Sequence, residues 1–180
     1  MLIIVIVVIA LLVLWVISVQ NKLVKADELC KNALKQINVQ QISRYDALQA
    51  LVKLTREYAS YEADTLQKVI EQRKMVSSPN PSVADINANE AALKDIGARL
   101  IAVAESYPEL KANENYQKTM ASIEKYEENV RLSRMTFNDT VTKYNNDVRM
   151  FPGSVVAGIL GFPQREYLAD EPAKKDYPAF

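Results

Sequence analysis

The stretch that most constrains this chain is its opening: from Leu2 to Val19 there are eighteen residues of Leu, Ile, Val, Ala, Trp and one Ser, without a single charge. All 22 basic and 22 acidic side chains come later. As a helix rising about 1.5 Å per residue, the run is roughly 27 Å long, just enough to cross a hydrocarbon core. A cleaved signal peptide wants basic residues ahead of the run and a small-x-small exit, and Val16-Ile17-Ser18-Val19-Gln20 offers no such exit. A retained transmembrane anchor over residues 1–20 is therefore expected, with Trp15 near headgroup level. Lys22, Lys25, Lys31 and Lys35 come soon after the anchor. The positive-inside rule then puts the N-terminus outside and the rest of the chain in the cytoplasm. A type IV pilin also runs an apolar N-terminus into a helix, but position 5 here is Val where that pattern has Glu.

The chain beyond the anchor reads as helix. There is neither Gly nor Pro before Pro79, so a helix can leave the membrane unbroken and run to about Val76. Apolar positions recur every three or four residues at Ala26, Cys30, Ala33 and Ile37, then Tyr45, Leu48 and Val52, then Tyr58, Leu66 and Val69. Ile37-Asn38-Val39-Gln40-Gln41-Ile42-Ser43 crowds β-branched residues with amides, and Ser43 is a possible cap, so a kink or short break is expected there. Ser77 to Ser82 is a loop by composition. A second helix carries Ala88, Ala92, Ile96, Leu100 and Val103 on one face and ends at Tyr107-Pro108; a last long one runs from about Asn113 to Arg149. The fold class is all-α: the transmembrane helix continues into an elongated up-and-down bundle of three to four long helices. The domain reading is anchor 1–20, helical bundle 21–150 and C-terminal tail 151–180. Within the tail, Val155 to Phe162 is apolar but too short to span, and its glycines with Pro152 and Pro163 argue against a stable helix. It can pack on the bundle, fill a groove between subunits or touch lipid.

Several kinds of chemistry find no footing. Zero net charge leaves no electrostatic footprint for a phosphate backbone, so no nucleic-acid partner is expected. The absence of His removes the commonest general base and the commonest transition-metal ligand. Cys30, the lone cysteine, reads as a small apolar residue on a helix face. Glu127 and Glu128 are adjacent on a helix and diverge by about 100°, and Glu124 with Glu128 reads as a solvated face. Arg134 lies two turns from Glu127 on a core stripe, and an ion pair inside or between helices is expected there. The nine tyrosines fall mostly among apolar positions and read as core. No catalytic, cofactor-binding or metal-binding residues are assigned, no cofactor is implied, and the chain reads as a non-enzyme.

The residues in order also carry a resemblance. Asn21, Leu23 and Val24 come after the anchor; then Ile37, Val39, Gln40, Arg44-Tyr45-Asp46, Leu51-Val52, Tyr58-Ala59, Glu62, Thr65-Leu66, Val69 and Arg73. The most recognisable run is Tyr107-Pro108-Glu109-Leu110-Lys111-Ala112-Asn113, with Glu127, Arg134, Asn138, Tyr144-Asn145, Phe151-Pro152 and the Val156-Ala157 to Gly161-Phe162 tail after it. Over essentially its whole length the chain resembles the LemA family of bacterial membrane proteins. The resemblance implies a four-helix bundle with the N-terminus outside, no catalytic residues, and a role as scaffold or membrane-associated assembly protein, some members being encoded near membrane metalloproteases. The chain departs from the family at Gln49-Ala50, where Pro-Asn is usual, which favours an unbroken helix, and at Tyr61, where His is frequent.

Two functions are thus expected from different classes. The first is a scaffold in the bacterial inner membrane that self-associates as a homo-oligomer through the helical domain and the Val155–Phe162 tail. The second is an adaptor for a membrane protease or another inner-membrane enzyme.

Overall fold

The computed structural model describes residues 1–72 and 78–169, and among these it contains six helices and no strand. Helix α1 spans Leu2–Thr55, α2 Ser60–Gln72, α3 Val83–Ser106, α4 Pro108–Ala112, α5 Glu114–Arg149 and α6 Gly153–Leu160. The fold is the all-α bundle that the periodicity implies.

At 54 residues, α1 is about 80 Å long. Of the kink or short break expected at Asn38–Ser43, the break does not occur. The amides there are not helix-stoppers, because they face a neighbouring helix: Asn38 and Gln41 are buried, and Gln41 donates to the carbonyl of Ile86 at 3.0 Å. Ser43 caps nothing; its hydroxyl bonds back to the Val39 carbonyl one turn earlier. The interruption comes instead at Arg56–Ala59, so the helix does not run unbroken as expected; its anticipated end near Val76 lies outside the described residues. Here i→i+3 bonds, from Glu57 N–H to Leu54 O and from Tyr58 N–H to Thr55 O, tighten the chain into a turn.

Helix α2 returns towards the middle of α1, where Asn38 Nδ2 donates to the carbonyl of Ser78 at 3.3 Å. Ser82 then starts α3 with a capping box: its hydroxyl accepts from Asp85 N–H at 3.1 Å, and the Asp85 carboxylate accepts from Ser82 N–H at 2.8 Å. That backbone bond to the carboxylate holds Asp85 below the usual aspartate range. The Tyr107–Asn113 run makes the distal turn. Pro108 opens α4, Leu110 is fully buried, and Asn113 caps α5 by accepting from the N–H groups of Asn115 and Tyr116. Helix α5 then runs back beside α1 towards its apolar N-terminal run.

The core consequently changes character along its length. In the distal half, four helices surround Leu48, Leu51, Leu66, Leu93, Ile96, Leu100 and Ile123. In the proximal half, Cys30, Leu34 and Ile37 of α1 meet Val130, Phe137, Val141 and Tyr144 of α5, and Ile86 closes the top. Two helices cannot enclose a core, so a third wall is needed, and Leu168 from the C-terminal segment joins that cluster. Nearest the apolar N-terminal run, Leu23 packs with Val156 and Ala157 of α6. The tail therefore packs on its own bundle, and it does form a helix, though of only eight residues. Gly153 and Gly161 bound that helix, and Gly158 inside it does not prevent it. Gly161 adopts a left-handed φ of 73°, and Phe162 N–H bonds back to Ala157 O, a Schellman-type stop.

Gly153 is required by close approach. A Cβ built there would lie 2.2 Å from the backbone carbonyl oxygen of Asp147. Gly153→Ala is expected to push α6 off α5 and cost about 1–3 kcal/mol, the usual penalty of overpacking. Denaturant unfolding in mild detergent checks this; an unchanged midpoint would show that the turn gives way without cost.

Candidate functional site

Among the described residues, polar side chains that join one element to another gather at three levels. At the distal end, Tyr107 donates to Glu62 at 2.8 Å and Asn113 Nδ2 donates to the Tyr58 hydroxyl at 2.9 Å. These bonds tie the α3–α5 turn to the α1–α2 segment. The hydrogen bond to Glu62, with some burial, pushes the Tyr107 hydroxyl above the usual tyrosine range.

The middle level divides the two large apolar clusters. Arg44 is buried, and its guanidinium donates to Glu90 at 3.1 Å and to Glu127 at 3.2 Å, bridging α1 to α3 and α5 at once. Gln41 adds a bond from Nε2 to the other Glu90 oxygen at 3.2 Å. The two carboxylates differ in setting, since the Glu90 side chain is 9% exposed and that of Glu127 50%. Glu127 thus does form an ion pair, but with Arg44 and not with Arg134 as expected. Arg134 instead donates to Asn87 Oδ1 at 3.4 Å and to the carbonyl of Ala169 at 2.7 Å. Glu128 diverges from Glu127 as the helix geometry requires and pairs with Arg131, whose hydrogen bond holds it below the usual glutamate range.

The proximal level is a strap. Residues 162–169 run extended and antiparallel along α5, held by carboxamides acting as stand-ins for a strand. Asn145 accepts from Arg165 N–H at 2.9 Å and donates to Arg165 O at 3.0 Å. Asn138 does the same for Leu168, at 3.0 and 3.1 Å. The spacings match: seven helical residues rise about 10.5 Å, and three extended residues cover about 10 Å. Tyr144 donates to the carbonyl of Pro163 at 2.9 Å. Arg165 reaches across to Asp27 of α1 at 2.6 Å, with its guanidinium over the Tyr144 ring. Burial pushes the Asp27 carboxyl up, but hydrogen bonds from Lys31 and Arg165 outweigh it and leave the group below its ordinary 3.8. Burial pushes the nearby Cys30 thiol up, in keeping with a buried apolar role for that residue.

A folded pKa below the unfolded one means that the Asp27–Arg165 contribution is complete above about pH 4. It is lost as the pH falls through the lower folded value. Stability measured from pH 7 to pH 2 should show wild type and Asp27→Asn separated at neutral pH and converging in acid; parallel curves would contradict the pairing.

None of this resembles a reaction centre. Each carboxylate named is hydrogen-bonded to a cation or a hydroxyl, and among the described residues no three His, Cys, Asp or Glu side chains group as a metal site. A groove of about 400 Å³ between α1 and α5, lined by Ser43, Asp46, Lys118 and Tyr126, is open to solvent and does not enclose a small molecule. The three levels are instead where the most recognisable sequence positions sit: Tyr58, Glu62, Tyr107 and Asn113; then Arg44 and Glu127; then Arg134, Asn138, Tyr144 and Asn145. The LemA family model matches residues 33–179. The chain belongs to the LemA family. In this LemA-family bundle, Arg44 ties α1 to α3 and α5, Tyr107 and Asn113 tie the distal turn to Glu62 and Tyr58, and Asn138 and Asn145 hold the C-terminal strap on α5.

Three curated relatives are also similar over a shorter stretch. Magnetosome protein MamQ 2 and Magnetosome protein MamQ 1 of Paramagnetospirillum magneticum strain AMB-1 are each 32% identical over 75 residues, 42% of this chain. Magnetosome protein MamQ of Magnetospirillum gryphiswaldense strain MSR-1 matches to the same extent. The matched stretch is only 28% of the length of each of these relatives.

Sequence reasoning found Arg134, Asn138, Tyr144 and Asn145 as signature residues but not the strap they hold. A signal was present: two asparagines seven apart on the face that carries Phe137, Val141 and Tyr144. Carboxamides on a core-facing stripe ask for backbone partners.

Proposed function

We propose that this LemA-family protein is a non-enzymatic, membrane-anchored helical scaffold that self-associates at the bacterial cytoplasmic membrane. The observation that carries the reading is α1 itself. Its residues Leu2 to Ile17 are all exposed and apolar, and the same helix then continues as the backbone of the bundle. An uncovered apolar rod of that length asks for a hydrocarbon solvent, and the bundle beyond it is held close to the bilayer by rigid helix. Arg44, Glu62, Tyr107, Asn113, Asn138 and Asn145 support a structural role, because they serve contacts inside the fold. Tethering confines many copies to one layer and raises their effective concentration, which favours lateral association. Leu132 and Met135 on α5 and Ile101 on α3 are exposed apolar side chains suited to it. The likeness to proteins named for the magnetosome supports a place in a larger structure.

Topology and assembly are tested together. In a Cys30→Ala background, a cysteine at Leu2 should label with a membrane-impermeant maleimide on intact cells, and one at Asn80 should not. The reverse pattern would place the bundle outside. Mass photometry in mild detergent should find a multiple of the 20.3 kDa chain. A strict monomer across micromolar concentrations would sink the scaffold and favour an adaptor for a membrane protease.

A further inference from the structure

We propose that α6 is a second membrane contact, a short in-plane helix whose stripe of Phe151, Val155 and Ile159 sits in the headgroup–acyl boundary of the leaflet from which the anchor emerges. This rests on the reading of residues 1–20 as a membrane span.

The height of α6 along α1 places it at the bilayer surface. Val156 and Ala157 pack on Leu23, with Val19 and Phe162 beside them. Leu23 lies four residues past the end of the apolar run, about 6 Å, and the headgroup layer is itself about 6 Å deep on each side. A helix docked there cannot avoid the membrane surface.

The uncovered face of α6 is suited to that position. Ala157 and Val156 are packed against α1, but Phe151 is 82% exposed, Val155 49% and Ile159 78%. These three are spaced by four, so Val155 and Ile159 share one face of α6 and Phe151 lies just ahead of it. No charged residue occurs from Phe151 to Gln164, which is unusual for a surface segment in a chain whose remainder is so charged. Arg149 and Lys25 are exposed at the same level and suit the phosphates of headgroups.

Two occupants could cover the stripe, and its surroundings favour lipid over a second copy of the chain. Val16 and Ile17, about two turns before Leu23 on α1, are exposed apolar residues too, so the stripe lies next to a surface that already asks for lipid. Three side chains, two on an eight-residue helix and one just ahead of it, fall far short of the roughly 800 Å² per partner of a standard interface. An apolar face with flanking cations is what an interfacial helix needs.

The test uses the full chain with Cys30→Ala and one environment-sensitive fluorophore, on a cysteine at Ile159, at Leu12 or at Glu105. Each is reconstituted in phosphatidylcholine vesicles with or without bromine on the acyl chains. The Leu12 and Ile159 probes should lose most of their emission to brominated lipid, and the Glu105 probe none. An Ile159 probe that keeps its emission while Leu12 is quenched overturns the proposal and leaves the span intact. This holds whether the probe reports water or a protein cover. A Leu12 probe that is not quenched removes the span and this inference with it.

Discussion

Replacing Arg44 with methionine is expected to destabilise the bundle by about 3–5 kcal/mol, the cost of leaving a buried charge without its partner. The charge left behind is Glu90, nearly inaccessible and then held by Gln41 and by Lys94 at 3.8 Å. Glu127 is half exposed and can take up water, so Glu127→Ala should cost no more than about 1 kcal/mol. The informative variant is the double one. Arg44→Met with Glu90→Leu removes both charges from the layer, and should be better than the sum of the single changes by about 2 kcal/mol or more. Unfolding in detergent micelles, monitored by helical circular dichroism, supplies the cycle. If the two substitutions simply add, Arg44 and Glu90 are not the coupled pair that their geometry describes.

The second large effect is expected at the strap. Asn138→Ala with Asn145→Ala removes four hydrogen bonds and uncovers the third wall of the proximal core. At about 1 kcal/mol per bond, with Leu168 freed as well, the pair should cost about 3–5 kcal/mol. Hydrogen exchange reads the cause directly. The amides of Arg165 and Leu168 should be protected in wild type and exchange quickly in the double variant, while those of α3 stay slow. Asn138→Asp sharpens the test, because it keeps an acceptor for Leu168 N–H and turns a carboxylate on Leu168 O. Its amide protection should outlast its stability. Protected strap amides in the double alanine variant would mean that apolar packing alone holds the segment.

What could be read in advance was local. The uncharged run, the helix periodicity and the turn from Tyr107 to Asn113 each depend on residues within a few positions of one another, and each appears in the fold. What could not be read depended on partners far along the chain. Asn38 to Ser43 looks like a weak point because propensity alone counts against it. Gln41 offsets that weakness by reaching residues 45 and 49 positions away. The turn at Arg56–Ala59 carries no Gly or Pro to announce it. Arg134 and Glu127 share a stripe, but a long cation chooses among three neighbouring helices, and Arg44 lies 83 residues from Glu127. The strap has no periodicity of its own, since its register is written in the asparagines of another element.

With residues 2–19 in a bilayer, as proposed, the unbroken α1 would turn the molecule into a lever. From Gln20 to Thr55 it projects about 54 Å beyond the span at the helical rise of 1.5 Å per residue. Transmembrane helices commonly tilt by about 20°, which would carry the far tip sideways by roughly 18 Å. A modest change in bilayer thickness, met by tilting, would therefore be magnified at the Tyr58–Asn113 end into a displacement wider than a helix. Whatever binds that end would feel the thickness of the lipid.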